Sequence, residues 1–181
     1  MKKILLFISL LCFSPVTLAD TGMHNVYFGY YTNAITWRPI IISRTHPNDA
    51  FIFGMQNRAY ILSPHLTLDA GVNFTHASVG SNSLWVIAAY PALRFWLYQD
   101  SDIRPFAEYS MGLAWLSQEH FGSADLGGRL SFQNSIGIGI NAGTRHVFNF
   151  MLKYYHYTNF GIAKPNNGFD IPLVFSIGYE F

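Results

Sequence analysis

The chain is 181 residues long, 50% hydrophobic and 17% aromatic, with 12% charged residues and a formal net charge of +1. A balance this near zero leaves no charge surplus for a nucleic-acid backbone or for steering an acidic partner. Beyond the amino-terminal segment there is no run of the ~18 or more apolar residues that a membrane-spanning helix requires, so the apolar content is not that of a helical membrane protein.

At the amino terminus, Met1-Lys2-Lys3, the apolar run from Ile4 to Phe13, and Thr17-Leu18-Ala19 supply the charged, apolar and small-residue parts of a secretory signal peptide. Cleavage is expected after Ala19, dividing the chain into a signal peptide, 1–19, and one domain, 20–181. The single cysteine, Cys12, lies in the removed segment behind Leu11, where a lipoprotein signal wants a small residue. A mature chain without thiol, disulfide or lipid anchor is therefore expected.

Period-two runs bounded by turn residues predict strands at 24–33, 50–60, 66–77, 83–98, 103–118, 129–142, 145–158 and 169–181. Trp37 to Ser43 is a ninth candidate. Because single-chain bacterial outer-membrane barrels use even strand numbers, it is assigned to the first loop or to an extension of the first strand. The expected fold is all-β: an eight-stranded antiparallel transmembrane β-barrel of the outer membrane, with a soluble β-sandwich as the alternative. Loop lengths favour the barrel. With both chain ends periplasmic, the compact turns Tyr98 to Asp102 and Ala142 to Arg145 fall on the periplasmic side, and the longer connections Ser117 to Gly128 and Asn159 to Gly168 outside. Ile177, Tyr179 and Phe181 resemble the alternating, Phe-terminated signature read by the barrel insertion machinery. An eight-stranded barrel is filled by its own side chains, so activity is expected on the outer wall or the loops rather than in a channel. The seven histidines show no ligand spacing, and neither a metal nor another cofactor is expected. Gly137 and Gly139 make room for bulky neighbours or for an acyl chain.

The seventh predicted strand places the chemistry. Its even positions, His146, Phe148, Phe150, Leu152, Tyr154, His156 and Thr158, form the apolar set, while Asn149 and Lys153 are odd. The apolar set of a barrel strand faces lipid, so His156 and Thr158 are predicted on the lipid-facing wall at the outer leaflet, which is lipopolysaccharide in a Gram-negative outer membrane. Residues two apart on a strand point the same way, roughly 6.5–7 Å apart at Cα, which lets the His156 imidazole act as base toward the Thr158 hydroxyl. If the hairpin is symmetric about Lys164, Thr158 faces Asp170 and Pro172 faces His156, with Asp170 in diagonal reach of the imidazole. Asn159 and Asn166, with loop amides, are candidate oxyanion or substrate-positioning donors. A nucleophile, a base and an orienting acid point to ester hydrolysis. The plain alternative is that Tyr, His and Thr are common at barrel interfaces and that an Asn-Gly turn needs no function. Strict alternation of Ile171, Leu173, Phe175, Ile177, Tyr179 and Phe181 puts Asp170 in the lumen. The triad therefore requires a bulge near Pro172, which cannot donate a ladder hydrogen bond.

These residues resemble the lipid A 3-O-deacylase (PagL-type) family. The resemblance is carried by Ile103-Arg104-Pro105-Phe106-Ala107-Glu108, by Leu130-Ser131-Phe132-Gln133 leading into Ile136-Gly137-Ile138-Gly139, and by His156-Tyr157-Thr158-Asn159 through Pro165-Asn166-Asn167-Gly168. Leu68-Asp69-Ala70-Gly71 fits loosely and the first 60 residues hardly at all. The resemblance implies an enzyme that removes an ester-linked 3-hydroxyacyl chain from lipid A without a metal, through a Ser-His-Glu triad on the outer wall of an eight-stranded barrel. It implies His156 as base, Thr158 as nucleophile, Asp170 as acid, and Asn159 and Asn166 as the family asparagines, the latter toward the oxyanion. Thr158 and Asp170 depart from the family's Ser and Glu. The added methyl stiffens χ1, and the lost methylene shortens the acid's reach by about 1 Å, enough to cost a hundredfold in rate if nothing compensates. The implied partners are lipid A in lipopolysaccharide and the surrounding outer-membrane lipids; a homodimer is left open. Two other readings stand beside the enzyme: a catalytically impaired lipopolysaccharide-binding member of the same fold, and a structural or adhesive barrel whose loops meet an external partner.

Overall fold

A computed structural model of the chain describes residues 24–34, 43, 45–98, 101–144, 147–165 and 167–181. The expected signal peptide, the segment Trp37 to Ile42 and Asn166 lie outside the described residues. The strands are β1 His24–Thr32, β2 Asp49–Ser63, β3 Leu66–Val79, β4 Asn82–Trp96, β5 Ile103–Leu116, β6 His120–Phe121, β7 Ala124–Asp125, β8 Leu130–Ala142, β9 Val147–Thr158 and β10 Phe169–Glu180. Eight of them close an antiparallel barrel in the order β1-β10-β9-β8-β5-β4-β3-β2. The eight predicted strands are these eight, displaced by a few residues at their ends. The two-residue strands β6 and β7 pair in a small hairpin inside the 117–129 loop. They were not expected, because two residues carry no period.

Closure follows from alternation. In β4, Leu84, Val86, Ala88, Tyr90, Ala92, Arg94 and Trp96 are buried, while Trp85, Ile87, Leu93 and Phe95 project outward. A wall carrying so many large exposed apolar side chains is stable only against lipid, and aromatic residues such as Tyr30, Trp85, Tyr98 and Trp115 supply the interface girdles.

The expectation of apolar residues outside and polar residues inside holds for only half of the lumen. Toward the outer end the interior is mostly apolar, mixing small residues such as Ala50, Ala77, Val86, Ala88 and Ala114 with Tyr31, Leu84, Leu116, Tyr157 and Phe169, and Thr75, Ser131 and Gln133 are buried among them. The inward and outward sets of this half are both largely apolar, so polarity alone does not separate its two faces. Toward the periplasmic end the interior is ionic. Glu108 takes Lys153 Nζ at 2.5 Å on one oxygen. Its other oxygen accepts from Arg94 Nε at 3.0 Å and Nη2 at 2.9 Å, and from Gln56 at 2.9 Å. Asp69 joins through Gln56 at 3.0 Å and Arg94 at 3.7 Å, and Arg58 meets Glu180 at 3.7 Å. Arg58, Arg94 and Lys153 thus meet Asp69, Glu108 and Glu180, with Arg104 beside them over the Trp96 ring at 5.9 Å.

Gly137 and Gly139 belong to this packing. A Cβ on Gly137 would come within 2.7 Å of Lys153 Cγ, and one on Gly139 within 2.6 Å of Phe106 Cζ. These contacts fit the reading in which the glycines make room for bulky inward neighbours, and Gly139 also lines an apolar groove with Leu97, Ile138, Phe150 and Phe175.

At the outer mouth, Phe121 from the β6–β7 hairpin turns down into the barrel and meets Phe169 edge-on at 5.1 Å, and Phe169 in turn stacks flat on Tyr157 at 4.4 Å. The Tyr157 hydroxyl donates to Gln133 at 2.9 Å. This column pins the backbone beside His156 and Asp170 from within.

Candidate active site

The β9–β10 hairpin is irregular where the triad requires it. Tyr157 pairs with Phe169, His156 with Asp170 and Tyr155 with Ile171, after which the register shifts and resumes at Lys153 and Val174. Pro172 and Leu173 together oppose Tyr154, which is a β-bulge at the expected place. Pro172 has no N–H to offer, and Leu173 takes the left-handed conformation, φ 54°, that lets the extra residue leave the ladder.

One detail of the expected hairpin is corrected. The hairpin is not symmetric about Lys164, so His156 faces Asp170 directly instead of Pro172, and the neighbour across from Thr158 is Phe132 of β8. The centre of the hairpin is Ala163. Asn159 Oδ1 accepts from the Gly161 N–H at 2.8 Å and its Nδ2 donates to the Ala163 carbonyl at 3.1 Å, closing a tight bend over 159–163 that fixes this centre. A second detail is Ile171, which strict alternation alone would put on the lipid face: the expected bulge inverts parity above Pro172, so Ile171 and Phe169 enter the lumen and Asp170 joins the outer face of His156.

The Asp170 carboxylate lies 2.7 Å from His156 Nδ1. A carboxylate only accepts, so Nδ1 carries the proton and Nε2 is the basic nitrogen. Direct cross-strand pairing, rather than diagonal reach, gives the shorter Asp a normal hydrogen bond. Asp170 is fully buried although it belongs to the outer wall, because a strip of the first loop covers it. Its Oδ2 accepts from the Ser43 amide at 2.5 Å, its own amide donates to the Thr45 carbonyl at 3.0 Å, and Thr45 forms a parallel bridge with Phe169.

Thr158 stands two residues beyond His156 on the same face, with Oγ1 accepting from the Phe160 N–H at 3.2 Å. Phe160 packs on Phe132 at 5.0 Å, walling the hydroxyl with aromatic surface on the β8 side. The Asn159 amide donates to the carbonyls of Leu126 at 3.0 Å and Ala163 at 3.1 Å, so its donors brace the loop. Asn166 lies outside the described residues.

Ser43, Thr45, Asn134 and Gly168 were absent from the expected site. Asn134 lies across the ladder from His156 on the outer face and its Oδ1 is 3.5 Å from the Tyr109 hydroxyl. Parity alone reveals it: Phe132, Ile136, Ile138 and Ile140 share its even, lipid-facing positions, where an amide is costly unless used. Gly168 lies so close that a Cβ there would come within 2.3 Å of the Tyr157 carbonyl oxygen and 3.2 Å of His156 Cε1. Nothing in the sequence signals the contact between Ser43 and Asp170, 127 residues apart.

A family model described as lipid A 3-O-deacylase (PagL) matches residues 53–180. The lipid A deacylase PagL of Bordetella bronchiseptica is 30% identical over 119 residues, covering 64% of this chain and 62% of that protein. The lipid A deacylase PagL of Pseudomonas aeruginosa is 30% identical over 73 residues, covering 40% and 41% respectively. The matched region spans less than two thirds of either relative's length. The crystal structure of the outer membrane enzyme PagL superposes with a TM-score of 0.65 over 88% of this chain and 98% of that one, at 19% identity, a likeness of fold. The shared fold and the apolar outer wall identify an outer-membrane barrel. The family match begins within β2 and takes in the whole β9–β10 hairpin with its imidazole and carboxylate, and the chain belongs to the lipid A 3-O-deacylase (PagL) family.

Proposed function

We propose that the protein is an outer-membrane esterase that removes the ester-linked 3-O 3-hydroxyacyl chain of lipid A, with Thr158 as nucleophile, His156 as general base and Asp170 as orienting acid. The observation that carries this reading is the 2.7 Å pair of His156 Nδ1 and Asp170 on the lipid-facing wall, with a hydroxyl two residues on along the same face. A catalytic dyad in that position meets a lipid ester at the depth where headgroup gives way to acyl chain.

Thr158 Oγ attacks the ester carbonyl carbon as its proton passes to His156 Nε2, and Asp170 stabilises the imidazolium through Nδ1–H. The tetrahedral intermediate collapses with cleavage of the bond to the sugar oxygen, which leaves with the proton from Nε2 as a free hydroxyl. Water, deprotonated by the same nitrogen, then attacks the acyl-threonine ester, and Nε2 returns the proton to the leaving Thr158 Oγ as the 3-hydroxy fatty acid is released. Asn166 serves as the oxyanion donor, and Asn159 works one step behind it by holding the loop. No cofactor is needed for any of these steps.

Lipid A from cells expressing the chain is expected to lose a 3-hydroxyacyl chain by mass spectrometry, and His156→Ala and Thr158→Ala to leave it intact. Full-length lipid A beside the folded wild-type barrel would sink the enzyme reading in favour of an inert lipopolysaccharide-binding barrel. With the acid held at normal distance, the remaining departure from the family pattern is the Thr158 methyl. Thr158→Ser is expected to raise kcat roughly fivefold by freeing χ1 and the attack trajectory, measured as fatty acid released from lipid A in micelles. Gly168→Ala is expected to lower kcat about a hundredfold, because its methyl pushes the loop off the Tyr157 carbonyl and displaces the imidazole. Since the loop lies outside the lumen, urea unfolding should register little change.

A further inference from the structure

We infer that the first loop is a working part of the active site: the backbone amide of Ser43 is a positioning group that holds the acid Asp170 against His156. The inference rests on the proposed triad and adds to it a fourth element from the opposite end of the sequence.

The geometry is specific. Asp170 receives two donors on separate oxygens, His156 Nδ1 on Oδ1 at 2.7 Å and the Ser43 N–H on Oδ2 at 2.5 Å. Fixing both oxygens removes rotation about the terminal carboxylate torsion, so the lone pair facing the imidazole is set. The strip is itself anchored. The Asp170 N–H donates to the Thr45 carbonyl at 3.0 Å, Thr45 bridges to Phe169, and Phe169 is locked between Tyr157 and Phe121. Ser43 and Thr45 are both buried, and they exclude lipid and water from a carboxylate that a barrel wall otherwise exposes. Burial without these donors would penalise the charged form that the imidazolium needs. The contact also gives the shortened acid a purpose. The short Asp side chain keeps the carboxylate close to its own strand, within reach of the Ser43 amide.

The test uses the full chain folded into micelles, with folding checked by heat-modifiable migration on gels. Ser43→Pro removes the N–H and is expected to lower kcat about a hundredfold while KM for lipid A stays near wild type. Ser43→Ala keeps the N–H and is expected to recover kcat toward the wild-type value. Combined with Asp170→Asn, Ser43→Pro should cost nothing further, because both act through one carboxylate. A readout independent of turnover is the downfield imidazole Nδ1 proton resonance, present in wild type and lost in Ser43→Pro as in Asp170→Asn. A folded Ser43→Pro barrel with wild-type kcat and an unmoved resonance overturns the inference, as do losses that add in full to those of Asp170→Asn. Should wild type prove inert on lipid A, the deacylase reading fails, and the resonance alone decides whether Ser43 holds Asp170.

Discussion

Asp170→Asn is expected to lower the rate of 3-hydroxyacyl release from lipid A by about 10⁴-fold with the barrel still folded. The size of the effect comes from the tautomer rather than from lost charge alone. The Ser43 amide presents an N–H to one side of the side chain, and only an oxygen can accept it. The asparagine must therefore turn its NH₂ toward His156 Nδ1, which forces that nitrogen to accept and moves the imidazole proton to Nε2. A protonated Nε2 cannot take the proton of Thr158. Asp170→Glu, although it restores the family's residue type, is also expected to lose activity, because the added methylene overruns a 2.7 Å contact that this register already makes. Turnover of lipid A in micelles, beside gel migration of the folded barrel, measures both variants. An asparagine variant that keeps the wild-type rate would remove Asp170 from the mechanism.

The sequence carried the barrel, the strand count and the outward face of His156 and Thr158 because each of these is written in alternation, which a one-residue slip would invert entirely. It also carried the bulge, since a proline in a central ladder has to break it and Asp170 had no other route to the outer face. That His156 faces Asp170 directly, rather than diagonally, was not legible. Hairpin register depends on where the bend is centred, and here that is decided by Asn159 hydrogen bonds to Gly161 and Ala163 rather than by loop length. Ser43 was beyond reach for another reason: its contact is made by a backbone amide, and no residue type announces it. The polar lumen was half legible. Arg94, Glu108 and Lys153 sit at inward positions as alternation requires, but the same rule hid the outer half of the lumen, where most inward residues are as apolar as the outward ones.

The second large effect is on stability and belongs to Glu108. Its two oxygens serve Lys153, Arg94 and Gln56 in a lumen closed to solvent. Glu108→Ala leaves Lys153 buried without that partner and takes from Arg94 its closest carboxylate, leaving Asp69 at 3.7 Å. Removing one member of such a network is expected to cost about 3–5 kcal/mol, read as an earlier urea-unfolding midpoint of the barrel in micelles. Replacing Glu108 and Lys153 together by Met should recover much of that loss, since two apolar side chains of similar volume need no compensation for desolvation. If the double variant is no better than Glu108→Ala, the pair is not what Glu108 contributes. The catalytic consequence separates scaffold from site. Lys153 lies three residues before His156 on β9 and points to the opposite face, roughly 10 Å away along the strand. Where the Glu108 variant remains folded, its kcat on lipid A should therefore match wild type. A proportional fall in both would mean that the lumen network sets the register of β9, and that the bulge and the His156–Asp170 pair depend on charges buried inside the barrel.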